Sequence, residues 1–218
     1  MRFGADEAGK GPVLGSMFAA AVRAPAVAIP ADVDDSKRLQ PEHRRELAAQ
    51  LREDDRVDIG VAEVPPARID GRGRWADADT DMNTLTVAAQ AEALAAVVRD
   101  GDGGICDGGE TDADRFGRRV TDRLDADVEL RAEHGADETY AMVAAASVVA
   151  KVERDAHVAA LSDRYADLGS GYPSDPSTRE FLTRYVDREG DLPDCARHSW
   201  STCEDVLAAR EQSALHEF

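Results

Sequence analysis

Two adjacent carboxylates near the start of the chain, Asp6 and Glu7, constrain its fold more than any other feature. They follow a short apolar run and precede Gly9-Lys10-Gly11-Pro12, a stretch that forbids regular structure. The segment predicts two strands around a glycine turn, residues 2–5 and 13–22, forming a hairpin that carries acids. Successive residues of a strand face opposite ways, so Asp6 and Glu7 converge on one site only if the first strand ends there. Gly4 to Lys10 also spells G-x-x-x-x-G-K, the opening of a phosphate-cradling loop. That reading fails, because Gly11 stands where such a loop needs Ser or Thr and the two carboxylates would repel the phosphates.

The remaining pattern is that of an α/β protein. Pro41 opens an amphipathic helix to about residue 54, and residues 56–64 alternate as a half-buried strand ended by Pro65-Pro66. Residues 71–81 form a polar loop, followed by an alanine-rich helix over 83–99. Short apolar runs at 103–107 and 127–131, separated by a helix over 113–124, make a βαβ unit and so a parallel strand pair. A long helix over 140–166 and two terminal helices, 177–188 and 202–215, complete the chain. The length of 218 residues suits one domain of ordinary size with a helical appendage. The opening residues lack the basic start and apolar stretch of a signal peptide, and the weakly polar run 140–150 falls short of the ~20 residues a membrane span needs. A cytoplasmic protein with no membrane partner is expected, with Cys106, Cys195 and Cys203 as reduced thiols, since their number and spacing suit neither a disulfide framework nor a zinc site.

The formal charge of -18, from 44 acidic against 26 basic residues, would ordinarily argue against a nucleic-acid partner. The make-up of that charge points elsewhere. Asp outnumbers Glu, and lysine is reduced to Lys10, Lys37 and Lys151, as in proteins adapted to molar salt. A disordered acidic chain is excluded, because 43% of residues are hydrophobic and the periodic segments are clear. Where lysine has been lost from nearly every solvated position, the survivors are enriched for places where an ammonium has a task.

Asp107 closes the strand 103–107, and Asp137 stands just before the long helix. Alone, each would be an ordinary strand-end or helix-capping aspartate. Together with Asp6 and Glu7 they can form an oxygen-rich site at strand ends, suited to Mg²⁺ or Mn²⁺. Like charges packed together repel and raise one another's pKa, so a divalent cation makes such a cluster tolerable. On the long helix Ser147, Lys151 and Arg154 share one face by i, i+4, i+7 spacing, a hydroxyl and two cations fitted to a phosphate backbone.

These segments resemble ribonuclease HII, the type 2 ribonuclease H, in its archaeal form and from a halophile. The matching stretches are FGADEAGKGPVLG at 3–15, DDSKRL at 34–39, MNTLT at 82–86, ICDGGETD at 105–112, EHGADETYAMVAAASVVAKVERD at 133–155, GSGYPSD at 169–175 and RHSW at 197–200. The resemblance implies a ribonuclease H-like mixed five-stranded sheet with flanking helices over residues 1–168, and a helical part over 169–218 that completes the substrate groove. It implies an endoribonuclease that hydrolyses the RNA strand of RNA-DNA hybrids, including ribonucleotides embedded in a DNA duplex, and a monomer is expected. Asp6, Glu7, Asp107 and Asp137 would be the catalytic and metal-binding acids of a two-metal-ion hydrolysis giving 5′-phosphate and 3′-hydroxyl ends. Gly9, Lys10 and Gly11 correspond to the segment that recognises the ribonucleotide 2′-hydroxyl, and Tyr172 to the tyrosine that stacks on the sugar beside the scissile phosphate. Lys37, Ser147, Lys151 and Arg154 would contact substrate. The chain departs from the family in its longer, more charged 71–81 loop and in Ala141-Met142, which replaces a proline-containing step. A DNA nuclease or junction resolvase with the same carboxylates, or an inactive hybrid-binding module, are the rival readings.

The charge generates a prediction. Self-repulsion at -18 is screened only when the Debye length falls to about 3 Å near 1 M salt. Far-ultraviolet circular dichroism should show a folded protein at molar KCl and loss of structure in dilute buffer; a stable fold at low salt without divalent ions would overturn the salt-adapted reading.

Overall fold

The structure, a computed structural model, describes residues 1–33, 39–76 and 80–216. The chain packs as two compact units, each assembled from separated stretches of sequence. The first comprises Met1–Ala8, Met17–Glu63 and Asp81–Arg154, and the second Gly9–Ser16, Val64–Thr80 and Asp155–Phe218. The second unit therefore takes in more of the chain than the stretch after residue 168. No described helix is long and apolar enough to cross a membrane.

The first unit is built on a mixed five-stranded sheet in the order β3-β2-β1-β4-β5, with β1 Arg2–Ala8, β2 Met17–Ala24, β3 Asp58–Val64, β4 Gly103–Asp107 and β5 Glu129–Glu133. β1 pairs antiparallel with β2 and parallel with β4, and β4 pairs parallel with β5 through the crossover helix α4 (Ala113–Thr121), as the acid-bearing hairpin and the βαβ pattern predict. β2 is buried along its whole length, as a strand covered on both faces must be. Helix α3 (Met82–Ala95) packs on β1 and β2. Helix α5 (Ala141–Tyr165) begins against the other face, where its residues 142–150 share a core with Ala8, Ala20, Val22 and with Leu47 and Leu51 of α1 (Pro41–Glu53). Gly4 makes that approach possible. A Cβ there would lie 2.4–2.6 Å from the backbone of Met142 and Val143, so no larger residue fits without moving the helix.

Two strand limits differ from expectation, for physical reasons. β1 does not stop at Ala5 but continues through both acids to Ala8, because β2 remains paired with it as far as Ala8↔Phe18. Its parallel ladder with β4 does end at Ala5↔Cys106. β2 starts at Met17, not near Val13, because the Val13 and Leu14 N–H groups are committed to the Gly171 carbonyl in the second unit. The short helix α2 (Pro66–Ile69) and the 3-10 turn Gly73–Trp75, where Arg68 and Arg74 lie over the Trp75 ring, stand where only a strand end and a polar loop were expected.

In the second unit Val13, Leu14, Leu168, Phe181, Leu182, Val186, Leu192 and Cys195 form a separate core. Helix α6 (Pro176–Glu189) starts at Asp175, whose carboxylate accepts from the Ser177 N–H, and stops at Gly190 in the left-handed conformation. Helix α7 (Ser201–His216) follows. Asp70 ties the unit together by accepting from the His198 and Ser199 N–H groups and from the Ser199 hydroxyl. All three cysteines are buried and unlinked, and burial pushes each thiol pKa up.

A buried ion pair pins the end of the sheet opposite the acids. Arg23 donates to Asp102 at 2.6 Å and to Asp58 at 2.8 Å, and the N-terminal ammonium lies 3.0 Å from Asp102. Burial alone would raise the Asp102 pKa, but the bonds from Arg23, the N-terminus and the Arg99 N–H outweigh it and hold the carboxyl well below the usual range. Breaking a buried pair from one side costs about 3–5 kcal/mol, so Asp102→Asn should lower the unfolding free energy by about that amount in denaturant titrations at molar KCl. Because the folded pKa is the lower one, the Asp102 contribution is complete above about pH 4 and fades as the pH falls toward the folded value, whereas the Asn variant should lack that part of the acid sensitivity.

Candidate active site

β1 carries Asp6 and Glu7 onto opposite faces of the sheet, and both lie beyond the point where β4 stops pairing with that strand. Glu7 turns to the α3 face, where Gln90 Nε2 donates to its carboxylate at 2.6 Å and to the Asp107 carbonyl at 3.1 Å. Asp6 turns to the α5 face and is 5% exposed. The Ser147 hydroxyl hydrogen-bonds it, and Lys151 Nζ donates to Ser147 Oγ at 2.7 Å. Burial raises the Asp6 pKa most, the Glu7 and Asp107 carboxylates raise it further, and Ser147 and Lys151 pull it back.

Asp107, the last residue of β4, accepts from the Ala136 N–H at 2.8 Å through Oδ1. That bond fastens the turn Ala136–Glu138, which follows β5 and holds buried Asp137. Gly135, at φ 63°, supplies the left-handed step that turns the chain out of β5. The His134 ring at 3.0 Å from the Gly108 carbonyl, and the Gly108 N–H bonded to Glu133, close the same corner. Asp6, Glu7 and Asp107 thus feel one another's charge, and Asp137 is one residue from the Asp107 contact.

Among the described residues no three acid, histidine or cysteine side chains converge closely enough to enclose an ion as they stand. The donor chemistry nevertheless fits a hard divalent cation. All four groups are carboxylates, and the repulsion that raises Asp6 is what a dication would remove.

The other predicted residues fall into two sets. Lys151 and Arg154 are half-buried on α5, whereas Ser147 is fully buried behind Asp6 and is a partner of the acid, not an exposed group. Gly9, Lys10, Gly11 and Tyr172 belong to the second unit. There Gly9 has φ 90°, Tyr172 is 39% exposed, and a Cβ on Gly11 would stand 3.7 Å from the Tyr172 ring. Lys37 lies outside the described residues. Gln90 was missed by sequence reasoning; its one signal is an amide set within the alanine-rich stretch of α3, where it is fully buried.

A mixed five-stranded sheet in this strand order, flanked by helices, defines the ribonuclease H-like fold. The sequence profile of ribonuclease HII matches residues 3–203. The chain is 63% identical over 218 residues to the ribonuclease HII of the halophilic archaeon Haloarcula marismortui, covering all of both chains. Its fold superposes on the ribonuclease H2 of Pyrococcus horikoshii OT3 with a TM-score of 0.87 at 33% identity, covering 97% of this chain and 99% of that one. It superposes on a PCNA:RNase HII complex from Archaeoglobus fulgidus with a TM-score of 0.78 at 34% identity, covering 94% and 96%. The chain belongs to the ribonuclease HII family. It is an endoribonuclease that cuts the RNA strand of RNA-DNA hybrids, and the rival readings as a DNA nuclease or inactive binder are not favoured.

Lys151 tests the acid-holding arrangement. Its removal should cost at most about 1 kcal/mol of stability but slow turnover roughly tenfold, the worth of a lost contact of about 1.4 kcal/mol. Lys151→Arg should rescue poorly, since a planar fork cannot replace a compact ammonium at Ser147 Oγ. Normal kinetics in Lys151→Ala would mean the ammonium is merely solvated.

Proposed function

We propose that Asp6, Glu7, Asp107 and Asp137 hold divalent cations, Mg²⁺ or Mn²⁺, and that the site cleaves both continuous RNA-DNA hybrids and single ribonucleotides embedded in DNA. The observation that carries the reading is Asp6. It is buried, pressed by the charges of Glu7 and Asp107, and steadied by Ser147 and Lys151. When bound, such cations supply an acidified water for in-line attack and neutralise charge on the leaving 3′ oxygen, which gives 5′-phosphate and 3′-hydroxyl products.

The chain's own residues do the rest. Gln90 orients the Glu7 carboxylate, and the Ala136 N–H fixes one oxygen of Asp107. Lys151 holds Asp6 through Ser147, while Arg154, Lys10 and Lys37 meet phosphates. The backbone of Gly9, Lys10 and Gly11 reads the ribose 2′-hydroxyl, and Tyr172 stacks on the adjoining sugar. We carry over a PCNA partner as well, because the Archaeoglobus relative was solved as a PCNA:RNase HII complex.

The test compares hybrid, single-ribonucleotide duplex and plain DNA duplex, each with Mn²⁺, with Mg²⁺ and with chelator. Cleavage should occur on the first two only and stop with chelator. Loss of an outer-sphere partner costs about 10–100-fold, so Asp107→Asn, which removes a ligand, should cost more while hybrid binding persists. The Asn side chain still accepts from Ala136, so the fold should hold. Near-normal turnover in that variant would sink the assignment.

A further inference from the structure

Arg197 has no exposed surface, although a guanidinium is among the costliest groups to bury. Its donors are spent on backbone carbonyls: Nη2 to Gly9 at 2.6 Å, Nη1 to Lys10 at 2.8 Å and Nε to Gly15 at 2.9 Å. The Trp200 ring covers the guanidinium at 5.0 Å, and its Nε1 donates to the Gly11 carbonyl at 3.3 Å. Both residues are themselves anchored within the same unit. The Arg197 N–H donates to the Val13 carbonyl, and the Trp200 N–H to the Arg197 carbonyl. Residues 197–200 thus hold the three consecutive carbonyls of Gly9, Lys10 and Gly11.

Holding those carbonyls fixes the other side of the same peptides. In a planar trans peptide the N–H points away from the preceding C=O, and the described chain has no cis bonds. With the Gly9 and Lys10 carbonyls drawn to Arg197, the N–H groups of Lys10 and Gly11 are directed the opposite way. Gly9, at φ 90°, makes that peptide orientation accessible.

We infer that Arg197 and Trp200 are the positioning residues for ribose recognition: they set the peptide planes of the 9–11 loop so that its amides meet a 2′-hydroxyl. The inference rests on the reading of that loop given above. Neither side chain is required to touch substrate. Their effect is on discrimination, because a loop free to rotate its peptides binds ribose and deoxyribose alike, whereas phosphate contacts are indifferent to the sugar.

The experiment measures equilibrium binding of a duplex with one embedded ribonucleotide and of its all-deoxy counterpart, at fixed KCl and without divalent ions. It also measures kcat and KM on the ribonucleotide duplex. Wild type, Arg197→Lys and Trp200→Phe are compared, the last keeping the ring and removing only the N–H. The wild type should prefer the ribonucleotide duplex, and each variant should lose about tenfold of that preference, with KM rising more than kcat falls. Should Arg197→Lys fail to fold, Trp200→Phe carries the same expectation. A wild type with no preference would overturn the loop reading itself. A wild type with a preference that Trp200→Phe retains in full, together with an unchanged KM, would overturn the positioning role alone.

Discussion

Helix α5 meets β1 backbone to backbone at Gly4, and the first unit is organised around that contact. Because nothing but hydrogen stands between strand and helix there, the next residues of α5 follow close above the strand, and Ser147 comes within hydrogen-bonding reach of Asp6 two residues on. The same proximity buries the carboxylate, so its affinity for protons is set first by helix packing and then by its acidic neighbours. A side chain at position 4 would act on the site without touching it, by lifting the helix away from the strand.

The hairpin and the parallel β4–β5 pair were legible because each is written locally. Strand ends, glycine punctuation and a helix between two apolar runs all lie within a few residues of the features they specify. What was not legible depends on residues far apart in sequence. Nothing near Ala5 announces that β1 continues, since the cause is its pairing with β2 up to Phe18. Arg23 and Asp102 read as two more charges in a charged chain until the fold brings them together. Ser147 was assigned to the correct helix face, but spacing alone cannot tell a face that meets solvent from one that covers a buried acid. Arg197 was noticed only as part of RHSW, and its purpose becomes visible when the carbonyls it holds are seen to belong to residues 9–15.

The acidity of the chain is managed by arginine. Of 26 basic residues only three are lysine, and the structure uses arginine both in exposed pairs, such as Arg56 with Asp54, and in buried ones, such as Arg23 with Asp102. The exposed pairs contribute little each. The buried forks differ, because several donors in one plane can satisfy carboxylates or carbonyls that a single ammonium would leave half-paired. Glu110 illustrates this, held by Arg115 and Arg119, with Arg119 reaching on to Thr84 of α3.

The discontinuity of the second unit bears on how the protein is made. Residues 9–16 leave the ribosome well before the groups that organise them, which run from His157 to Trp200. In that interval the strands on either side of this loop can pair while the loop lacks these later partners. On the reading of residues 9–11 proposed above, ribose recognition is thus acquired only once residue 200 has been made, well after the acids of β1.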